Sequence, residues 1–121
     1  HKSFLARRVM DRLAPGDTVL LLGLSFKSDT DDMRESPLVD LAETLIGKGY
    51  DLKIHDPDLK GRTLIGANLR YIEERLPHLS RLLVEDVAHV PQPALIILGK
   101  PMPAVEAALD GAVPIVDLVR L

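Results

Sequence analysis

Between Gly23 and Pro37 the chain reads Gly-Leu-Ser-Phe-Lys-Ser-Asp-Thr-Asp-Asp-Met-Arg-Glu-Ser-Pro, a run with one lysine, one arginine and four acidic residues. Lys27 offers a compact ammonium with three donors on a flexible stem, a group suited to hydroxyl and carboxylate oxygens. Arg34 offers a planar fork that takes phosphate or carboxylate oxygens two at a time. A simpler reading stays open beside this one: Lys27 pairs with Asp29 or Asp31, and Arg34 with Asp31 or Asp32, on a solvated face. A plain turn can be built from Gly, Asn and Ser, so the density of charge here exceeds what a connection requires.

The elements around this run explain where it must sit. Thr18 to Leu22 is a near-continuous Val/Leu run, the pattern of a strand covered on both faces. Ser36 is a good N-cap and Pro37 suits the first helical position, where a missing N–H costs nothing. Leu38, Leu41, Ala42, Leu45 and Ile46 then recur at helical spacing, and Gly47 and Gly49 supply the stop. Asp51 to His55 reads as a second strand closed by Asp56-Pro57, Ala94 to Leu98 as a third and Ile115 to Leu118 as the last. Helical stretches are expected around Asn68 to Arg75, Leu79 to Leu82 and Val105 to Leu109, with a short one within Glu85 to Val90. Ahead of the first strand, Phe4, Leu5, Val9 and Leu13 share one face of a helix that Pro15-Gly16 is expected to end. That helix begins at His1 with no cap before it, as a piece of something longer would, with a processed or tagged start as the alternative.

Alternating strands and helices predict an α/β domain of Rossmann-like, three-layer form, with a short parallel sheet in the order 2-1-3-4 and helices on both faces. The charged run then lies outside the carboxyl end of the central strand, where such folds bind ligands. It is longer than most such connections.

Composition narrows the field independently. A chain of 121 residues, 46% hydrophobic and 27% charged, suits one soluble domain with one core, and 3% aromatic residues make that core aliphatic. A formal net charge of −3 argues against a nucleic-acid partner. No apolar run approaches the roughly 20 residues that span a bilayer. With no cysteine, the chain holds no disulfide, thiolate ligand or thiol nucleophile.

Phe26-Lys27 followed by Thr30-x-Asp32-x-Arg34-Glu35-Ser36 resembles the signature of the C-terminal domain of the UDP-glucose/GDP-mannose dehydrogenase family. Leu21 to Lys27, Glu35 to Glu43, and Gly66-Ala67-Asn68 with Tyr71-Ile72-Glu73 and Pro77-His78 are most similar to its GDP-mannose branch. The resemblance is sharp from Val19 to Pro57, fair from Gly66 to Val87 and loose after Pro91. It implies that Lys27 contacts a nucleotide-sugar near the group being oxidised, that Phe26 is half core and half site wall, and that Arg34 contacts NAD. Asp32 and Glu35 would orient Arg34, while Thr30 and Ser36 close the loop. Asp117 to Arg120 resembles a terminal segment that in some relatives ends in a substrate-contacting arginine, which makes Arg120 a further candidate.

The resemblance further implies residues 1–14 as the end of a connector helix from a central domain, and residues 15–121 as the C-terminal nucleotide-sugar-binding domain. The intact protein would be a cytoplasmic, NAD-dependent nucleotide-sugar 6-dehydrogenase, converting GDP-mannose to GDP-mannuronate, with UDP-glucose or a related UDP-sugar as the alternative substrate. Its catalytic residues, a cysteine among them, would lie upstream, so that this piece alone is inert. Its partners would be the N-terminal and central domains and a second subunit, in a homodimer or higher oligomer. Membrane and nucleic acid would not be among them.

Other residues carry less. His55 and Asp56 end the second strand where a ribose-binding acid would stand, but only Gly23 follows the first strand, with no G-x-G-x-x-G, so Asp56-Pro57 reads as a turn. His78 and His89 read as surface or core-edge residues, and the histidines show no metal-ligand spacing. Gly99-Lys100-Pro101 departs from the Thr-Glu pair that many relatives carry after the third strand, leaving open any contact from this loop. A stand-alone α/β binding or regulatory module is the reading from another class. Its phospho-receiver form lacks the acceptor aspartate after the third strand, where Gly99-Lys100 stands.

Overall fold

The computed structural model describes residues 2–24, 37–57, 70, 74–76, 79–90, 92–109, 111 and 113–118, of which 2–5, 79 and 80 are described by their backbone alone. The elements are α1 (Lys2–Met10), β1 (Thr18–Leu22), α2 (Pro37–Gly47), β2 (Asp51–His55), α3 (Leu79–Leu82), a 3-10 turn (Val87–His89), β3 (Leu95–Leu98), α4 (Pro103–Leu109) and β4 (Ile115–Asp117). The four strands form one sheet in the order β2-β1-β3-β4, and every pairing is parallel. Val19 faces Leu52 on one side and Leu95 on the other, so β1 is central, as its unbroken apolar run requires.

Alternation along the strands divides the core in two. Val19, Leu21, Leu52, Ile54, Leu95 and Ile97 point to one face, where Ala6 and Val9 of α1 and Leu38, Leu41, Ala42 and Leu45 of α2 cover them. Leu20, Leu22, Ile96 and Leu98 point to the other, against Val90 and Met102, with Val105 and Leu109 of α4 packed beside them. β1 is therefore buried from Val19 to Leu22, and β3 throughout. In β2 only Leu52 and Ile54 are buried, while Asp51 is exposed and Lys53 half-buried; this edge strand is covered on one face.

Several boundaries depart from the expected ones. α1 stops at Met10 instead of continuing to Pro15-Gly16. Arg12 and Leu13 close three-residue turns on the Val9 and Met10 carbonyls, and Pro15-Gly16 instead occupies the centre of a turn in which Asp17 N donates to Ala14 O at 3.1 Å. The stretch Glu85 to Val90 holds only the 3-10 turn, with the Asp86 side chain accepting from Ala88 N. α2 ends as its sequence predicts, by a cap in which Gly49 N donates to Ile46 O and Tyr50 N to Leu45 O. Gly49 takes φ +89° there, a conformation that a side chain disfavours.

Candidate functional site

The carboxyl ends of β1, β2 and β3 lie side by side, and the backbone ladder runs one step past each strand. Gly23 N donates to His55 O at 3.0 Å, and Gly99 N donates to Leu22 O at 2.8 Å. This brings three short segments, 23–24, 55–56 and 99–100, to one end of the sheet. Asp56 and Lys100 meet there. Lys100 Nζ donates to Asp56 Oδ1 at 2.9 Å, and Leu24 N donates to Asp56 Oδ2 at 2.9 Å. Asp56 is 6% exposed and Lys100 2%. A buried charge is tolerated only when paired and hydrogen-bonded, and each carboxylate oxygen of Asp56 has a donor.

The glycines in this cluster are close-packing positions. A Cβ on Gly23 would lie 2.9 Å from Lys100 Cγ, and Gly23 has φ +97°, so only glycine lets the strand turn over the lysine stem. A Cβ on Gly99 would lie 2.6 Å from Leu38 Cδ1 and 3.2 Å from Gly23 O. Residues 99 and 100 thus touch β1 where residues 25–36 begin, and α2 just after they end. Beside them His55 Nδ1 lies 3.0 Å from Val84 O, and Val84 N donates to Ile54 O at 2.8 Å.

These positions add to two readings. Asp56 is not just the first residue of a turn: it is a buried anion holding two segments together. The loop after β3, whose contacts were left open, supplies the matching cation. Of the other candidates, Phe26, Lys27, Thr30, Asp32, Arg34, Glu35 and Ser36 lie outside the described residues, as do His78 and Arg120. Pro37 opens α2 as read, and His89 is exposed. Among the described residues no group of three or more His, Asp or Glu side chains is placed to hold a metal ion, and no helix is long and apolar enough to cross a membrane.

The pair also bears on a dinucleotide. In a Rossmann site the backbone after the first strand approaches a pyrophosphate closely. Here the space over Gly23 is filled by the Lys100 stem, and the Leu24 N–H is already given to Asp56. The described residues therefore do not fit a dinucleotide held in the usual way on this domain.

A second cluster lies on α2. Arg75 binds Asp40, and its Nε and Nη2 donate to Glu43 Oε2 and Oε1 at 2.8 and 2.9 Å. The Glu43 carboxyl is held below its ordinary range chiefly by the hydrogen bond from Arg75. Partial burial opposes this, the Arg75 charge adds to it, and the Asp40 charge also opposes it. Next to this cluster is an open groove of about 570 Å³ between α1 and α2, lined by Arg7, Met10, Asp40, Glu43 and Lys48 among others. Its lining mixes both signs of charge.

An open, all-parallel sheet in the order β2-β1-β3-β4, covered on both faces, defines the class of Rossmann-like α/β domains. Within that class, the UDP-binding domain profile of the UDP-glucose/GDP-mannose dehydrogenase family matches residues 20–86, and the chain belongs to that family. GDP-mannose 6-dehydrogenase of Pseudomonas aeruginosa is 54% identical over 86 residues, covering 69% of this chain and 20% of the relative. The enzyme of the same name from Pseudomonas savastanoi pv. phaseolicola is 52% identical over 96 residues, 77% of this chain and 22% of the relative. The chain thus spans about a fifth of the length of these curated relatives. Among solved structures, a ternary complex of GDP-mannose dehydrogenase from Pseudomonas aeruginosa superposes with a TM-score of 0.72 at 42% identity, over 93% of this chain and 27% of that one. A UDP-glucose dehydrogenase from Pyrobaculum islandicum superposes with a TM-score of 0.66 at 28% identity, over 96% and 25%.

Proposed function

We propose that this chain is the nucleotide-sugar-binding domain of an NAD-dependent nucleotide-sugar 6-dehydrogenase that oxidises GDP-mannose to GDP-mannuronate. The observation that carries this reading is the 54% identity to a GDP-mannose 6-dehydrogenase over 86 residues, a stretch long enough to include the charged connection and the elements on either side. The reaction takes a primary alcohol to a carboxylate, a four-electron oxidation in which two NAD would serve as the oxidant and one water would supply the second oxygen. Removing a hydride from an alcohol also requires a base and a dry site. In this reading the cysteine nucleophile comes from the rest of the protein, since this chain has no cysteine, and the base lies beside it there.

The chain's own part is to bind and orient. Lys27 supplies a cation to the sugar near the carbon being oxidised, where negative charge builds as the carboxylate forms. Phe26 walls the sugar off from water, Arg120 contacts the substrate, and Arg34 reaches oxygens of NAD. The described residues do not form a dinucleotide cradle of their own, so NAD is held mainly by the N-terminal and central domains. Residues 1–14 connect to those domains, residues 15–121 form the binding domain, and the protein works in the cytoplasm as a homodimer or larger assembly. The isolated piece is catalytically inert.

A UDP-sugar is the second reading, favoured by the family profile itself, which is that of a UDP-binding domain, and by 40% identity over 59 residues to a UDP-glucose 6-dehydrogenase of Bacillus subtilis. The test is NADH formation by the full-length gene product, offered GDP-mannose and UDP-glucose in turn. Two NADH per GDP-mannose and none from UDP-glucose are expected. The reverse preference selects the second reading, and a folded protein that forms NADH from neither removes both.

A further inference from the structure

Asp56 and Lys100 hold the root of the charged connection from a distance. Leu24 at the end of β1 and Leu38 at the start of α2 flank residues 25–36 in the sequence, and both touch the same small cluster. On the leaving side, Leu24 N donates to Asp56 Oδ2 at 2.9 Å, and the Lys100 stem lies under Gly23. On the entering side, Gly99 packs against the Leu38 side chain, and Leu38 is fully buried. Asp56 is in turn fixed by Lys100 Nζ, with the side chains of Lys100 and Asp56 only 3% and 0% exposed.

A tether to the Leu24 N–H alone would need no charge: an asparagine, serine or neutral turn would satisfy one backbone donor. A buried ion pair is also a poor source of net stability, because desolvating both groups offsets their attraction. What the pair supplies is direction. Two donors, from β1 and from the loop after β3, fix both oxygens of one carboxylate, so its plane and the Leu24 peptide cannot rotate independently.

We propose that Asp56 and Lys100 are positioning residues, which fix the Leu24 peptide at the end of β1 and through it serve the functional roles proposed for Lys27 and Arg34 further along the chain. This inference rests on the functional reading above, which places Lys27 and Arg34 in the site.

The test uses the full-length protein and three variants: Lys100→Met, Asp56→Asn and the double variant carrying both. Lys100→Met keeps a stem over Gly23 and removes the ammonium. Asp56→Asn keeps an acceptor for Leu24 N–H and removes the anion. Each single change leaves one buried charge without its partner and lowers the unfolding midpoint. The double variant has no buried charge, so its midpoint returns toward the parent's, yet the lock on the Leu24 peptide is still missing.

Steady-state constants for nucleotide-sugar and for NAD are measured well below each midpoint. Misplacing a catalytic loop by a fraction of an ångström is expected to cost on the order of tenfold in kcat/KM for the sugar, with KM for NAD raised as well. The double variant is expected to keep that loss although its stability has recovered. Parent-like constants in the double variant would show that the pair serves folding alone and overturn the proposal. If the parent protein oxidises no nucleotide-sugar, it is the functional reading that fails, and this is seen before any variant is made.

Discussion

Leu38 closes over Gly99 so tightly that a Cβ on the glycine would sit 2.6 Å from Leu38 Cδ1. Leu38 is the second residue of α2 and fully buried, so it cannot swing into solvent to make room. Gly99→Ala is therefore expected to shift the start of α2 or force Leu38 off its rotamer, at a cost of about 1–3 kcal/mol. The measurement is the midpoint of thermal unfolding of Gly99→Ala against the parent. An unchanged midpoint would mean that the end of β3 and α2 separate more easily than this packing allows.

Leu45 lies on the inner face of α2 and is 0% exposed within the larger core cluster. Leu45→Ala removes that burial and leaves a cavity between α2 and the sheet, with an expected loss of about 2–5 kcal/mol. Glu43 lies two residues earlier, on the exposed side, and Glu43→Ala should cost far less. Denaturant midpoints of the two variants compare them directly; similar losses would contradict the assignment of the buried face.

Glu43 gives a pH dependence with a defined sign. Arg75 lowers its folded pKa below the ordinary 4.5, so the pairing contributes stability above about 4.5 and loses it as pH falls through the lowered value. The Glu43 side chain is 45% exposed, so screening keeps the contribution to about a few tenths of a kcal/mol. Glu43→Gln should be slightly less stable than the parent at neutral pH and indistinguishable from it in strongly acidic buffer. A gap that stays constant across that range would remove the Arg75 pairing as its cause.

The roles proposed for the charged connection separate in kinetics. In the full-length protein Arg34→Ala is expected to raise KM for NAD at least about tenfold, as loss of a charge-assisted contact would. Lys27→Ala should lower kcat for sugar oxidation more than it alters NAD binding. Unchanged NAD constants in the first, or parent-like turnover in the second, would take that residue out of the site.

The strands were legible because burial on two faces leaves a local mark. Thr18–Leu22 and Asp51–His55 have the bounds their patterns predict, and Leu95–Leu98 starts one residue later than read. The order 2-1-3-4 followed from the alternation of strands and helices and the hand of their crossovers. The end of α1 was less legible, because Asp11 to Ala14 carry no strong breaker: the helix gives way to tight turns on the Val9 and Met10 carbonyls before Pro15 is reached.

The site divides along the same line. Family likeness of the residues from Gly23 to Pro37 was visible in their types and spacing, since a motif is a local property. The pairing of Asp56 with Lys100 was not, although a lysine directly after an apolar strand and its glycine was a signal that could have raised it. The partners are 44 residues apart, and Leu24 and Asp56 are 32 apart. They meet because β1 takes β2 on one side and β3 on the other, each in parallel register, so that all three strands end at one level. Short-range pattern specifies which segments are strands and which faces they bury. Which charges share a buried space depends on register between distant segments, a free-energy balance over the whole sheet that no single stretch of residues records.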